Sequence, residues 1–317
     1  MDIKIPYDVV IVGGGPAGLN AALILGRARK RVILFDAGPP RNAAATEIHN
    51  FVTRDGIAPA EFRRVARKQL RPYPTVEIED ARVDAVTREG DLFVAQIGSR
   101  TLEARRLLLC VGMIDVMPEL PGYRELWGKS IFQCPYCHAW EVKDRAFGVL
   151  ATSPMMLEFA FVLTSWTRDL VVFTGGDVVV SDDVRARLVS ARIRIEERPI
   201  RSLQEKNGHL EAVELSDGER VARDVLFARP QQVHVPLVQS LNLALDDMGF
   251  VRVEAFSQAT SVPGIHAAGD LTTMGQAAIV AAAAGTMAAA RMNHDLTVEA
   301  LNREAESGTL RAKPKGA

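Results

Sequence analysis

Short apolar runs broken by turn residues dominate the first part of the chain. Tyr7 to Val12 has the unbroken apolar pattern of a buried strand, and Leu19 to Arg29 the spacing of a helix. Arg31 to Phe35 is a second apolar strand, ending at Asp36. Arg41 to Asn50 shows neither period and reads as a loop, with Thr46, Glu47, Ile48, His49 and Asn50 either lining a site or simply solvated. Glu61 to Leu70 reads as a helix whose basic face (Arg63, Arg64, Arg67, Lys68) is expected to be solvated. Val76 to Val86, Phe93 to Ile97 and Thr101 to Leu109 are strand-like, closing at Cys110-Val111-Gly112.

Pro118, Pro121 and Gly122 mark a boundary. Beyond it a second strand–helix–strand outline appears: Phe147 to Leu150, Pro154 to Thr164, and Leu170 to Phe173. Ser190 to Arg201, Leu210 to Leu215 and Asp224 to Phe227 read as further strands, with turns at Asn207-Gly208 and Asp217-Gly218. Arg229 to Gln232 crosses back towards the first domain. A short strand follows at Val262 to Asp270, then a helix of small residues from Gln276 to Ala290. The tail after Leu301 is polar and is expected to fray over 313–317.

Alternating strands and helices imply an α/β class, and 317 residues imply two domains. The expected division is 1–117 with 233–317 against a central 118–232. A net charge of −1 gives no field to recruit nucleic acid or an anionic membrane. The longest apolar candidate, Ile279 to Ala290, falls short of the ~18 residues of a span and is broken by Gly285 and Thr286. The N-terminus lacks a signal-peptide shape, and three cysteines in so long a chain point to a reducing, cytoplasmic compartment.

Two motifs carry chemistry. Gly13-Gly14-Gly15-Pro16-Ala17-Gly18 lies between strand and helix, with Asp36 at the end of the next strand. In a dinucleotide site Gly13 makes the tight turn, Gly15 admits the pyrophosphate and Gly18 lets helix pack on strand. The acid takes ribose hydroxyls. The motif alone does not separate FAD from NAD.

The second motif is Cys134-Pro135-Tyr136-Cys137-His138. Pro135 suits the first position of a helix, which leaves Cys134 at the cap, where the dipole favours thiolate. His138 is a candidate acid or base. Zinc would need further ligands, and the remaining cysteine, Cys110, lies in an apolar strand; no metal site is expected. A static disulfide suits a secreted chain, and a thioredoxin module would carry its pair near its start.

In the middle outline the turn is Ala151-Thr152-Ser153-Pro154-Met155-Met156. Ser153 and Met156 stand where a nicotinamide site needs glycine and a small residue. Phe173-Thr174-Gly175-Gly176 offers no acid for a ribose and no arginine for a 2′-phosphate.

Together, GGGPAG at 13–18, CPYCH at 134–138, AAGD at 267–270 and QAA at 276–278 resemble the thioredoxin-reductase-like flavoproteins over nearly the whole chain. The resemblance implies two Rossmann-type domains, the FAD domain discontinuous, in a homodimer. It implies FAD contacts from Gly13, Gly14, Gly15, Ala17, Gly18, Asp36, Arg41, Asn50, Val83, Gly112, Gly269, Asp270, Gln276 and Ala277. Cys134 would face substrate, Cys137 the flavin, and His138 would move protons.

The missing NADPH glycines, with the CPYCH pattern, look like a narrower group: dithiol oxidases of the gliotoxin, holomycin and romidepsin type, the bacterial romidepsin type nearest. The expected activity is FAD-dependent oxidation of a small-molecule or peptide dithiol, with O2 as acceptor. Two alternatives stand: an NAD(P)H-driven disulfide reductase, and a non-enzymatic flavoprotein redox sensor.

Overall fold

In the computed structural model, residues 6–307 are described. Along the first third, β1 (Tyr7–Val12), α1 (Pro16–Arg27) and β2 (Val32–Phe35) follow the apolar pattern. A 3-10 turn at Arg41–Ala44 and a bridge between Ile48 and Ile57 shape the stretch read as loop. α2 spans Pro59–Leu70. The run read as one strand over Val76 to Val86 is two, β3 (Val76–Glu79) and β4 (Ala85–Glu89). Charged Asp80, Arg82 and Asp84 interrupt it, while Val83 between them is buried. β5 (Leu92–Ile97), β6 (Arg100–Leu109) and β7 (Ile114–Val116) follow.

The middle of the chain forms α3 (Tyr123–Leu126), β8 (Ile131–Phe132), α4 (Pro135–His138), β9 (Phe147–Leu150), α5 (Pro154–Leu163) and β10 (Leu170–Phe173). The strand expected from Ser190 to Arg201 is not continuous. α6 (Asp182–Ser190) precedes β11 (Arg194–Glu196), and β12 (Ile200–Lys206) begins after Pro199. Ser181 caps α6 by accepting from the Val184 N–H at 3.4 Å, and Asp182 and Asp183 suit the positive end of its dipole. β13 (His209–Leu215), β14 (Arg220–Ala222), β15 (Val225–Ala228), β16 (Gln231–Val233), α7 (Pro236–Ser240), β17 (Ile265–Ala267) and α8 (Ala278–Glu306) complete the described chain.

Two compact units result. The first takes the described residues up to Pro40, then Ala60–Ile114, then those from His234 onward. Its sheet has the order β3-β2-β1-β6-β5-β4, with β17 also paired to β6. β3, β2, β1, β6 and β17 are parallel, and β4 and β5 are antiparallel additions. One face packs against α1 and α8. There Gly285 is required by proximity, since a Cβ would fall 2.1 Å from the Ala17 carbonyl oxygen. Asn20 Nδ2 crosses the same contact to donate to the Ala282 carbonyl at 3.1 Å and to Thr286. The Gly-Thr break that disqualified this helix as a membrane span is thus its packing seam. α8 also runs well past Ala290. The expected fraying of 313–317 lies outside the described residues. No helix among the described residues is long and apolar enough to cross a membrane.

The second unit is Arg41–Pro59 with Asp115–Val233. Its main sheet, β11-β10-β9-β15-β8, is parallel throughout, and β12-β13-β14 form a small antiparallel sheet. The division differs from the expected 117/118 and 232/233 boundaries by a few residues, and by the whole of 41–59. That stretch joins the middle unit because Arg41 Nε pairs with Asp115 at 2.7 Å, Arg41 also bonds Gln133, and Gly128 sits against Ala44.

Candidate active site

In the first unit the parallel strands deliver their carboxyl ends to one edge. Gly13 follows β1, Asp36 follows β2, Gly112 follows β6, and Gly269-Asp270 follow β17. This is where doubly wound sheets hold ligands. Gly13 has φ +114°, and a Cβ there would meet the Cys110 carbonyl at 2.2 Å. A Cβ on Gly18 would lie 1.9 Å from the Gly13 carbonyl oxygen, so α1 rests directly on the turn. A Cβ on Gly15 would meet nothing within 4 Å. Gly15 caps α1 with extended backbone and no side-chain bond, leaving the helix start open to an anion.

Gly14 faces Asp36, whose buried carboxylate accepts from the Gly38 N–H at 3.3 Å. Gly269 lies against Ala17 and Ala281. Gln276 Nε2 donates to the Asp270 carbonyl at 3.3 Å, and Ala277 caps α8. Val83 is core. An open glycine cap, a helix N-terminus and a buried acid fit the pyrophosphate and ribose of an adenine dinucleotide such as FAD.

Arg63 and Arg67, one turn apart on α2, both reach Asp36: Arg63 bonds Oδ2, and Arg67 Nη2 lies 3.0 Å from it. The expectation of a solvated basic face therefore fails for these two, and holds for Arg64, which pairs with Glu61 at the surface.

In the second unit Cys134 and Cys137 are joined as a disulfide, Cα atoms 5.3 Å apart. Cys134 caps α4 and Pro135 takes its first position, as the motif predicts. The helix is only four residues, so few peptide dipoles align and their pull on Cys134 is weaker than a full helix would give. His138 stacks on Phe132, ring centroids 4.5 Å apart. Neither ring nitrogen has a hydrogen-bond partner among the described residues. Burial pushes its pKa below the ordinary histidine value, against the pull of Glu141. The burial favours the neutral form of the ring. Cys110 is buried, with its thiol pKa pushed up by desolvation, which suits packing rather than chemistry.

Arg41 and Asn50, expected as cofactor contacts, belong to this second unit. Asn50 Nδ2 donates to Cys137 Sγ at 3.6 Å. Beside it, His49 lies within 3.3 Å of Asp55, 3.2 Å of Glu47 and 3.6 Å of Glu141. Burial works against its charge, but the Asp55 hydrogen bond and the three carboxylates prevail and raise its pKa. The polar cluster was visible in sequence; its target, 87 positions away, was not.

The middle turn departs from the first. Ser153 caps α5 with extended backbone, the Met156 N–H is spent on the Ser153 carbonyl at 3.0 Å, and the Met156 side chain is buried in the core. β10 is followed by Thr174, buried and without a carboxylate. Among the described residues no group of His, Cys, Asp and Glu could hold a metal.

The family model described as pyridine nucleotide-disulphide oxidoreductase matches residues 7–285. Thioredoxin reductase tcpT of Claviceps purpurea (strain 20.1) is 35% identical, the alignment covering 91% of this chain and 95% of that protein. A crystal structure of HlmI superposes with a TM-score of 0.89 at 35% identity, covering 97% of this chain and 99% of the other. An oxidoreductase from Agrobacterium tumefaciens gives 0.87 at 36% identity, covering 93% and 99%.

Proposed function

Because the chain belongs to the pyridine nucleotide-disulphide oxidoreductase family, a family of FAD-binding flavoproteins with the thioredoxin-reductase-like fold, we propose that it is an FAD-dependent dithiol oxidase working without nicotinamide. The observation supporting this reading is the middle turn: Met156 fills the core where a small residue would let helix rest on strand, Ser153 carries a side chain at the helix cap, and the Cys134–Cys137 pair is intact.

In the proposed cycle a substrate thiolate attacks Cys134 Sγ, and Cys137 leaves as thiolate. The second substrate thiol attacks the mixed disulfide and releases Cys134, so the substrate ring closes and the enzyme pair is reduced. His138, neutral and half-buried, takes the proton of the incoming substrate thiol and returns it to Cys134 Sγ as that sulfur is released. FAD, held by the Gly13–Gly18 turn, Asp36 and the Gly269–Ala277 segment, would supply a two-electron acceptor for re-forming the Cys134–Cys137 bond and a path to O2. The proposed substrate is a small-molecule or peptide natural-product dithiol of the gliotoxin, holomycin or romidepsin kind, and the proposed assembly is a cytoplasmic homodimer.

Oxygen uptake with a panel of dithiols tests the reading. It predicts uptake without NADPH, abolished by Cys134→Ser and by Cys137→Ser. Fast anaerobic flavin bleaching by NADPH would instead establish the reductase, which the names of the curated relatives favour.

A further inference from the structure

The 48–57 loop is built to hold one amide. Ile48 and Ile57 bridge, Gly56 N–H bonds the Ile48 carbonyl at 2.9 Å, and Arg54 N–H bonds the Phe51 carbonyl at 2.7 Å. At its tip Asn50 takes the left-handed conformation, φ +55°, pinned by its own N–H to Asp55 Oδ1 at 2.7 Å. Asp55 Oδ2 also holds the His49 ring, so one carboxylate grips both neighbours. On the ring's other side lie Glu47, from the loop itself, and Glu141, from the segment just after the redox turn. The groups facing His49 are thus Glu47, Asp55 and Glu141, and the His138 ring is near enough that charge on His49 helps lower the pKa of His138. Two adjacent residues tie the loop to the redox segment: His49 pairs with Glu141, and the Asn50 amide meets Cys137 Sγ.

Resting on the dithiol-exchange reading above, we propose that Asn50 is a further catalytic residue, whose side-chain amide donates to the Cys137 sulfur as that sulfur leaves, and that His49 is the positioning residue holding it there. When a substrate thiolate bonds to Cys134 Sγ, the Cys134–Cys137 bond breaks and its electron pair goes to Cys137. A donor aimed at that atom favours the thiolate over the thiol, and a better leaving sulfur makes exchange faster. His138 has no such bond to either sulfur, so the two residues divide the work: His138 moves protons and Asn50 holds charge.

The test reads Cys137 directly. In a Cys134→Ser background Cys137 is unpaired, and the remaining thiol, Cys110, is buried, so alkylation of Cys137 by iodoacetamide can be followed against pH by intact mass. Asn50→Ala should move the midpoint upward and slow alkylation at neutral pH on the order of tenfold, the effect of losing one charge-assisted hydrogen bond at a partly exposed site. Asn50→Asp, similar in volume but acceptor-only and negative, should move it further. His49→Gln should move it in the same direction by less, with the flavin spectrum and melting curve confirming that each variant is folded. Asn50 variants within twofold of the parent would overturn the proposal. A moved profile in an enzyme without dithiol-dependent oxygen uptake would uphold this role and refute the oxidase. An unmoved profile in an active oxidase would refute this role alone.

Discussion

The chain makes the same strand–turn–helix–strand unit twice, and the two copies differ where it matters. β1-α1-β2 and β9-α5-β10 are both buried parallel pairs bridged by a proline-started helix. In the first, Gly18 brings the helix down onto the turn and Gly15 leaves the cap open. In the second, Met156 fills the space between helix and sheet, and its N–H is bonded to Ser153. β2 is followed by buried Asp36, β10 by Thr174. The parallel topology is retained by the apolar strands, which need only hydrophobic continuity. Ligand binding depends on a handful of small residues that contribute almost nothing to the core. On the proposed oxidase reading, the second unit's fold has outlived its binding site.

The sharpest way to break the comparison is to put the second turn's residue into the first. Gly18→Met would drive a Cβ into the Gly13 carbonyl, 1.9 Å away. Backbone must move, at about 3 kcal/mol or more, so the protein should melt lower and lose its flavin. A yellow variant with an unchanged melt would show that the helix has slack. Gly15→Ser separates folding from binding, because the new Cβ meets no protein atom. Its melt without cofactor should stay near the parent's, while FAD affinity falls by roughly 10–100-fold as one charge-assisted hydrogen bond is lost. Titration of apoprotein with FAD reads this; unchanged affinity would remove Gly15 from the pyrophosphate site.

These two glycines were legible because their reasons are local. The turn, the cap of α4 and the apolar strands all follow from neighbours within a few positions. What was not legible depends on partners far along the chain. Arg63 and Arg67 read as solvated because nothing in their own helix reveals that Asp36 waits beneath. The 41–59 loop lacks period, and its membership of the second unit rests on Asp115, Gln133 and Cys137. α6 was a different failure: Ser181 followed by two acids is a start signal, masked by the apolar residues around it.

The arginines give a smaller effect that sharpens the same contrast, since no acid directly follows β10 as Asp36 follows β2. Arg63→Ala or Arg67→Ala leaves Asp36 with one guanidinium in place of two. Both arginines are partly exposed, so water discounts the loss to about 1–2 kcal/mol in a thermal melt, with FAD affinity weakened a few-fold. Melts within error of the parent for both would restore the solvated face the sequence suggested.

The smallest expected effect is none at all. Ser153→Gly makes the second cap resemble the first, and extended backbone at φ −159° accepts either residue. Folding should be unaffected. Yet glycine at 153 does not lift the Met156 side chain from the core or free its N–H, and it brings no acid to the end of β10. Two or three charge-assisted hydrogen bonds remain unmade, each worth roughly 1.5–3 kcal/mol, which places binding several powers of ten below a working site. Neither the parent nor Ser153→Gly should bind NADPH at micromolar concentration in calorimetry. Removing Met156 itself is a poorer probe, because the cavity would cost about 2–5 kcal/mol and confound binding with stability. Micromolar binding by the parent would mean that the second turn never lost its function, and the oxidase reading would give way to the reductase. Binding gained by Ser153→Gly alone would locate the whole block in one Cβ and clear Met156.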